Sequence, residues 1–474
     1  MSTSTPTPIT SISTSTSIST EASITTNTGI ATNTGISTKT VVAPHSPPSL
    51  KEMAGAAKAN RNRAIDLYRA LAMVAVAVGH WMAMAIGIDE HGELFAGNAL
   101  ELAPRMAWAS WIFQVMPLFF VVGGFSSAMS LDSFTRNDEG RPQDWVIARL
   151  RRMLAPAMVL AATWAALIAG GFVMGQGELI AVGATAAAIP LWFLANYTID
   201  TAIAPYVLPM FRRHPVAVPT LGLTVFFGLE VARLAGVPAL PQLNWILGWL
   251  LFQIAGFAWR DGLLSTGRNL MLIASGLWAA AVAIVAFGPY PVSMVHFPGL
   301  INSPTHPPTP ALLLFGAAYS ATAIAIAPAV SRWLAARPKA WAAVVASNAV
   351  AMSVYLWHFT AAIAASAIFY ALGWLPTAQV GTFDWWIQKM PLLGVAAIIL
   401  ALMVAKVSPV EQKALLAPRS PWVAGPLSMF ALTAVLSTAL KQWAHGDFTV
   451  AATCIGILLV LWHGVVRTNS ILCD

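Results

Sequence analysis

The chain has 474 residues, 57% of them hydrophobic and only 9% charged, with a mean hydropathy of +0.69. Soluble domains carry about a quarter charged residues, so a water-soluble globular fold is excluded and most of this chain is solvated by lipid. The formal charge of +7 reads first as membrane orientation rather than nucleic-acid binding, and two distant cysteines, Cys454 and Cys473, suggest neither a disulfide framework nor a metal cluster.

Residues 1–60 open with a Ser/Thr-rich tract in which "TNTGI" occurs twice. It lacks the basic and apolar regions of a secretory signal. Small polar residues of this kind cannot bury enough surface to offset their ordering entropy, so a disordered cytoplasmic tail is expected.

Apolar runs then predict about twelve spans, with ten to twelve the safer range: 64–88, 108–131, 153–175, 190–211, 215–235, 243–260, 269–289, 309–330, 348–371, 390–407, 422–440 and 448–466. The fold class is an all-α polytopic transmembrane helix bundle. Placing both termini in the cytoplasm puts all 26 basic residues inside except Arg105, Arg233, Lys389 and Lys441, which fits the positive-inside rule and an inner cell membrane. The stretch 332–372 is too long for one straight span, so "RWLAARPKAWAAVVA" is expected to lie on the inner surface, broken near Ser347-Asn348.

The first span, "RAIDLYRALAMVAVAVGHWMAM", carries Asp66, Arg69 and His80. From Arg69 to His80 the helix makes three turns plus about 20° and rises about 16.5 Å, so both side chains share a face. With Arg69 at the inner edge, His80 falls near the midplane of a core about 30 Å thick. Ionisable groups at that depth usually face a bundle interior or a wet cavity. Spacing alone leaves an interhelical hydrogen-bonding histidine, with Arg69 snorkelling to the headgroups, equally open. A transporter's ion site fits too.

Further along, the second span holds "VVGGFSS" with Gly123 and Gly124, and the third is preceded by "RLRR", with Arg149, Arg151 and Arg152. The fourth opens with Trp192 and Tyr197 and carries Asp200. "VYLWHF" brings Tyr355 and His358 to mid-span. The outer loop 289–310 contains His296 and His306, without compact metal-ligand spacing.

Together these blocks resemble the integral-membrane acyltransferase 3 family. The signature arginine–ten residues–histidine stands at Arg69 and His80. It is followed in order by "WIFQVMPLFFVVGGFSSAMS", "RLRRMLAP", "PLWFLANY", "PVSMVHFPG" with "PPTPALL", and "SVYLWHFTA". The resemblance covers roughly 61–375. It implies a transmembrane acyltransferase domain over 61–407, with 408–474 an additional C-terminal hairpin. In the block around "LFQIAGFAWRDG", Phe252 stands before Gln253 where the family often has a histidine, and Asp200 matches nothing in the pattern.

The implied activity is acyl transfer, acetyl by default, from cytoplasmic acyl-CoA to a hydroxyl of a carbohydrate, glycolipid or related acceptor, an O-acetylation that modifies carbohydrate. Acyl-CoA enters as co-substrate, with no bound cofactor and no metal. A neutral imidazole in a low-dielectric cavity suits proton removal from the acceptor, so His80 is assigned as general base, with an acyl-histidine intermediate also open. Arg69, held by Asp66, orients the donor, or the two form only an interfacial ion pair. Arg149, Arg151 and Arg152 bind donor phosphate or serve only topology. His358, Tyr355, Gly123, Gly124 and Trp192 are candidate cavity-lining residues, with helix packing the alternative for the glycines. The rival function class is a secondary transporter with an intramembrane Arg/His site, although no repeat between halves is evident.

Overall fold

A computed structural model describes residues 62–137 and 140–416. The N-terminal tail and the two spans expected after residue 422 lie outside the described residues. Nine helices among those described are long and apolar enough to cross a membrane. The sequence expectation of an all-α polytopic bundle holds.

The helices run α1 (Arg63–Ala83), α2 (Met116–Arg136), α3 (Pro142–Val173), α4 (Gly177–Ala187), α5 (Leu191–Arg213) and α6 (Ala217–Leu234). They continue with α7 (Asn244–Arg260), α8 (Arg268–Phe287), α9 (Pro310–Ala335), α10 (Pro338–Ala371) and α11 (Phe383–Leu416). At 17 residues, α7 is at the short limit of about 17–25 that a bilayer requires.

The helix α2 is the axis of the bundle, with 83% of its apolar window buried, whereas α6 and α8 bury only 17% of theirs. Leu221, Val225 and Val231 on α6 and Leu272 and Ile273 on α8 are exposed, as helices facing hydrocarbon should be. Two glycines bring α2 and α7 together. A Cβ on Gly124 would lie 2.1 Å from the Gln253 carbonyl oxygen, and one on Gly256 would lie 2.1 Å from that of Val121. Backbone-to-backbone contact of this kind is the small-residue packing available where lipid offers no hydrophobic drive.

Three helix ends are clipped together on one face. The Arg212 guanidinium donates to both Asp132 oxygens (2.7 and 3.1 Å) and both Asp261 oxygens (2.8 Å each). These contacts join the ends of α2, α5 and α7, the ends at which "RLRR" also lies. At the opposite face the loop 288–309 is pinned by the residues before α2: Trp111 Nε1 donates to the Val292 carbonyl (2.7 Å), Gln114 to that of Met294 (2.7 Å), and Ser110 Oγ accepts from Met294 N–H (2.8 Å). Tyr290 donates to Glu230 (2.6 Å), which also holds Arg233 in a two-pronged ion pair. Burial, reinforced by the hydrogen bond to Glu230, pushes the Tyr290 phenol pKa up.

Three sequence expectations need correction. The first span does not reach residue 88: α1 ends at Ala83, and Met84–Ile88 pairs antiparallel with Leu94–Asn98. The turn between the strands has the chemistry for this, because Asp89 Oδ1 accepts from the backbone of His91 and Glu93 and Gly92 supplies a positive φ. Second, α10 is not broken at Ser347-Asn348 but runs 34 residues. Pro338 starts it, and Asn348 Nδ2 donates to the carbonyls of Val344 and Asp66 (2.9 and 2.8 Å), so the side chain that looked like a breaker fastens α10 to α1. Third, α3 begins at Pro142 rather than 153, which puts "RLRR" inside a helix, and the short α4 was not expected.

Candidate active site

His80 lies in the last turn of α1, nearer the helix end than its expected midspan position, because the strand begins four residues later. Across the interface with α10 its Nδ1 meets His358 Nε2 at 2.9 Å, and the two rings are nearly parallel at 8°. His358 is fully buried, and its Nδ1 lies 2.6 Å from the Tyr355 carbonyl one turn back. A carbonyl can only accept, so His358 carries its proton on Nδ1, and in the neutral ring Nε2 keeps its lone pair. His80 must then donate from Nδ1, and its own Nε2 carries a lone pair. The chain from Tyr355 C=O through His358 to His80 therefore selects one tautomer and leaves an unprotonated nitrogen on a half-buried ring.

The last turn of α1 is tied further. Trp81 Nε1 donates to the His358 carbonyl (2.8 Å), and Phe359 packs on both imidazoles at 5.0 and 4.8 Å. At the other end of α1, Asn62 caps the helix through the N–H groups of Ala64 and Ile65, and the Tyr68 hydroxyl donates to the Ala323 carbonyl of α9 (2.7 Å).

Arg69 and Arg149, the first arginine of "RLRR", converge on one residue that the sequence reading missed, Ser126 of α2. Arg69 Nη2 donates to Ser126 Oγ (2.6 Å), and Arg149 Nη2 lies 3.4 Å from the Ser126 carbonyl. Arg149 also stacks over Trp145 (5.3 Å) and is within electrostatic reach of Arg69 and Arg152. Asp66 Oδ1 stands 3.9 Å from Arg69 Nη1, an ion pair without a hydrogen bond. A rotation of about 200° separates Arg151 from Arg149 on the helix, against about 60° for Arg152. Arg152 therefore lies nearer the Arg149 side of α3 than Arg151 does. The signal for Ser126 was visible: two serines in an apolar run beside a glycine pair.

The remaining candidates resolve differently. Tyr355 contributes its carbonyl rather than its phenol, which donates to the Pro190 carbonyl at the start of α5. A Cβ on Gly123 would meet the Tyr197 ring and one on Gly124 the Gln253 backbone, the contacts that the packing alternative requires. Among the described residues, Trp192 makes its ring contacts with Phe193, Trp245, Trp249 and His306, not with either site histidine. Phe252 is buried core, while Gln253 donates to the Asp200 carbonyl (3.2 Å) and so joins α7 to α5.

Residues 62–408 match the family model of the acyltransferase domain of the acyltransferase 3 type. Comparison with curated proteins and with solved structures gives no match.

Proposed function

We propose that this chain, which belongs to the acyltransferase 3 family, moves an acyl group, acetyl by default, from cytoplasmic acyl-CoA to a hydroxyl of a carbohydrate, glycolipid or related acceptor. The observation that carries the reading is the Tyr355–His358–His80 chain, which leaves His80 Nε2 with a lone pair. His80 Nε2 takes the acceptor hydroxyl proton as that oxygen attacks the thioester carbonyl carbon. The C–S bond breaks, and the thiolate leaving group receives the same proton from His80, giving ester and free CoA. The imidazolium formed in between is supported through its Nδ1–H by His358 Nε2, whose own ring is fixed by the Tyr355 carbonyl. General-base catalysis of this kind contributes about 10²- to 10⁴-fold.

Arg69, Arg149 and Arg152 supply the donor end. Gathered guanidinium groups repel one another unless an anion lies among them, and their planar donors match phosphate oxygens. Along α1, about 16.5 Å separates the levels of Arg69 and His80. The extended pantetheine arm of CoA would bridge that span, with phosphates at the arginines and the thioester at the histidine. Asp66 and Ser126 hold Arg69 in place for this role. The clipped basic ends of α2, α5 and α7 would then face the cytoplasm of an inner cell membrane, where acyl-CoA is available.

The test compares purified wild type with His80→Ala in lipid vesicles supplied with labelled acetyl-CoA, and compares acylated lipids and glycans of a deletion strain complemented with each. His80→Ala should insert normally and lose about 10²-fold or more in transfer. Unchanged product would remove His80 from the mechanism, and solute crossing the vesicle without acyl-CoA would favour transport instead.

A further inference from the structure

Lys389 is a buried group to which the acyl-transfer chemistry gives no task. It stands in the second turn of α11, 2% exposed, and donates from Nζ to the Met82 carbonyl (3.0 Å) and to that of Met84. Its ammonium lies over the rings of Trp385 (4.2 Å) and Trp386 (5.4 Å), one turn back on the same helix. Among the described residues no carboxylate pairs with it. Taking an ammonium out of water costs several kcal/mol, and an apolar side chain would fill the same space without that penalty.

What the cation touches supplies the reason. The last carbonyls of a helix lack intrahelical donors, and a positive charge at that end is favourable. Met84 is the residue at which α1 gives way to the strand. Its N–H donates to the His80 carbonyl, while its own carbonyl accepts from Lys389. The segment from His80 to Met84 is therefore clasped from both sides: Trp81 reaches the His358 carbonyl, and Lys389 holds Met82 and Met84.

We propose that Lys389 is a positioning residue for acyl transfer: by gripping the Met82 and Met84 carbonyls it fixes the final turn of α1 so that His80 Nδ1 stays on His358 Nε2. The proposal rests on the reading of His80 as the base. Lys389 itself touches neither substrate.

The experiment compares Lys389→Met, Lys389→Gln and Lys389→Arg with wild type in purified protein. Lys389→Met keeps the length of the stem but not the donors. It should lose roughly 10- to 100-fold in kcat, the scale expected when a catalytic group is misplaced by an ångström or less, with KM for acetyl-CoA unchanged. Lys389→Arg and Lys389→Gln, which retain donors, should recover part of that loss. A second readout needs no turnover: carbethoxylation by diethyl pyrocarbonate, mapped by mass spectrometry. Wild-type His80 should accept one group, at Nε2, while Lys389→Met, with Nδ1 released, should show a doubly modified ring. Wild-type kcat, or a His80 modification pattern identical to wild type, in Lys389→Met overturns the proposal. If that variant does not fold, Lys389→Leu, which likewise carries no donor, decides by the same criteria. Should wild type transfer no acyl group at all, the reaction assignment fails, and the carbethoxylation pattern alone still judges Lys389.

Discussion

Ser126 shows how a single small residue organises two charged ones. Its hydroxyl holds Arg69 of α1 and its carbonyl faces Arg149 of α3, so two guanidinium groups from different helices meet over one turn of α2. Charge-assisted hydrogen bonds are worth about 1.5–3 kcal/mol each. Changing Arg149 and Arg152 together to Ala should therefore weaken CoA binding by about 10-fold or more, with a shallower dependence on salt. Arg151→Ala, farther round α3 from Arg149, should leave affinity near wild type. Titration calorimetry with CoA in detergent checks this, and wild-type affinity in the double variant would return the arginines to a purely topological role. The pairing of Arg69 with Asp66 was readable from their three-residue spacing. Ser126 as the shared anchor was not, because nothing local says which residue of α2 faces α1.

At the scale of elements, the close approach of α2 and α7 rests on two glycines, Gly124 and Gly256. Gly124→Ala would press a methyl group against the backbone oxygen of Gln253, which cannot rotate away, whereas Gly123→Ala meets the edge of the Tyr197 ring at 2.7 Å. Overpacking of this kind costs about 1–3 kcal/mol, and Gly124→Ala should be the worse of the two in thermal unfolding of detergent-solubilised protein. A Gly124→Ala protein as stable as wild type would mean that α2 and α7 are not in backbone contact. The glycine pair was visible in "VVGG" with both readings open, room for a ligand arm or close packing, and the Gln253 backbone supplies the packing contact at Gly124.

For the whole molecule, the arrangement rests on which face meets the cytoplasm. The Arg212 clip gathers the ends of α2, α5 and α7 on one side, and the loop held by Trp111, Gln114 and Glu230 lies on the other. With both native cysteines replaced by serine, His214→Cys should react with a membrane-impermeant maleimide only from the cytoplasmic side. Ile301→Cys, 81% exposed on the opposite loop, should react only from outside. The reverse pattern would put the arginine cluster on the side without acyl-CoA and remove the donor assignment.

The sequence by itself determined that this is a polytopic helix bundle, roughly where its spans fall, and that Arg69 and His80 share one face of the first. Lipid forces long apolar runs into helices, and helical periodicity then fixes neighbours three, four or eleven residues apart. Local pattern misled where local chemistry competed, as at the Asp89–Gly92 turn that ends α1 early and at Asn348, which fastens a helix instead of breaking it. Only the tertiary structure decided what His80 does with its two nitrogens. That answer comes from His358, 278 positions away, and the end of the same helix is held by Lys389, 305 positions beyond Met84. Contacts at such separations follow from how helices pack against one another, and no periodicity within a helix encodes them.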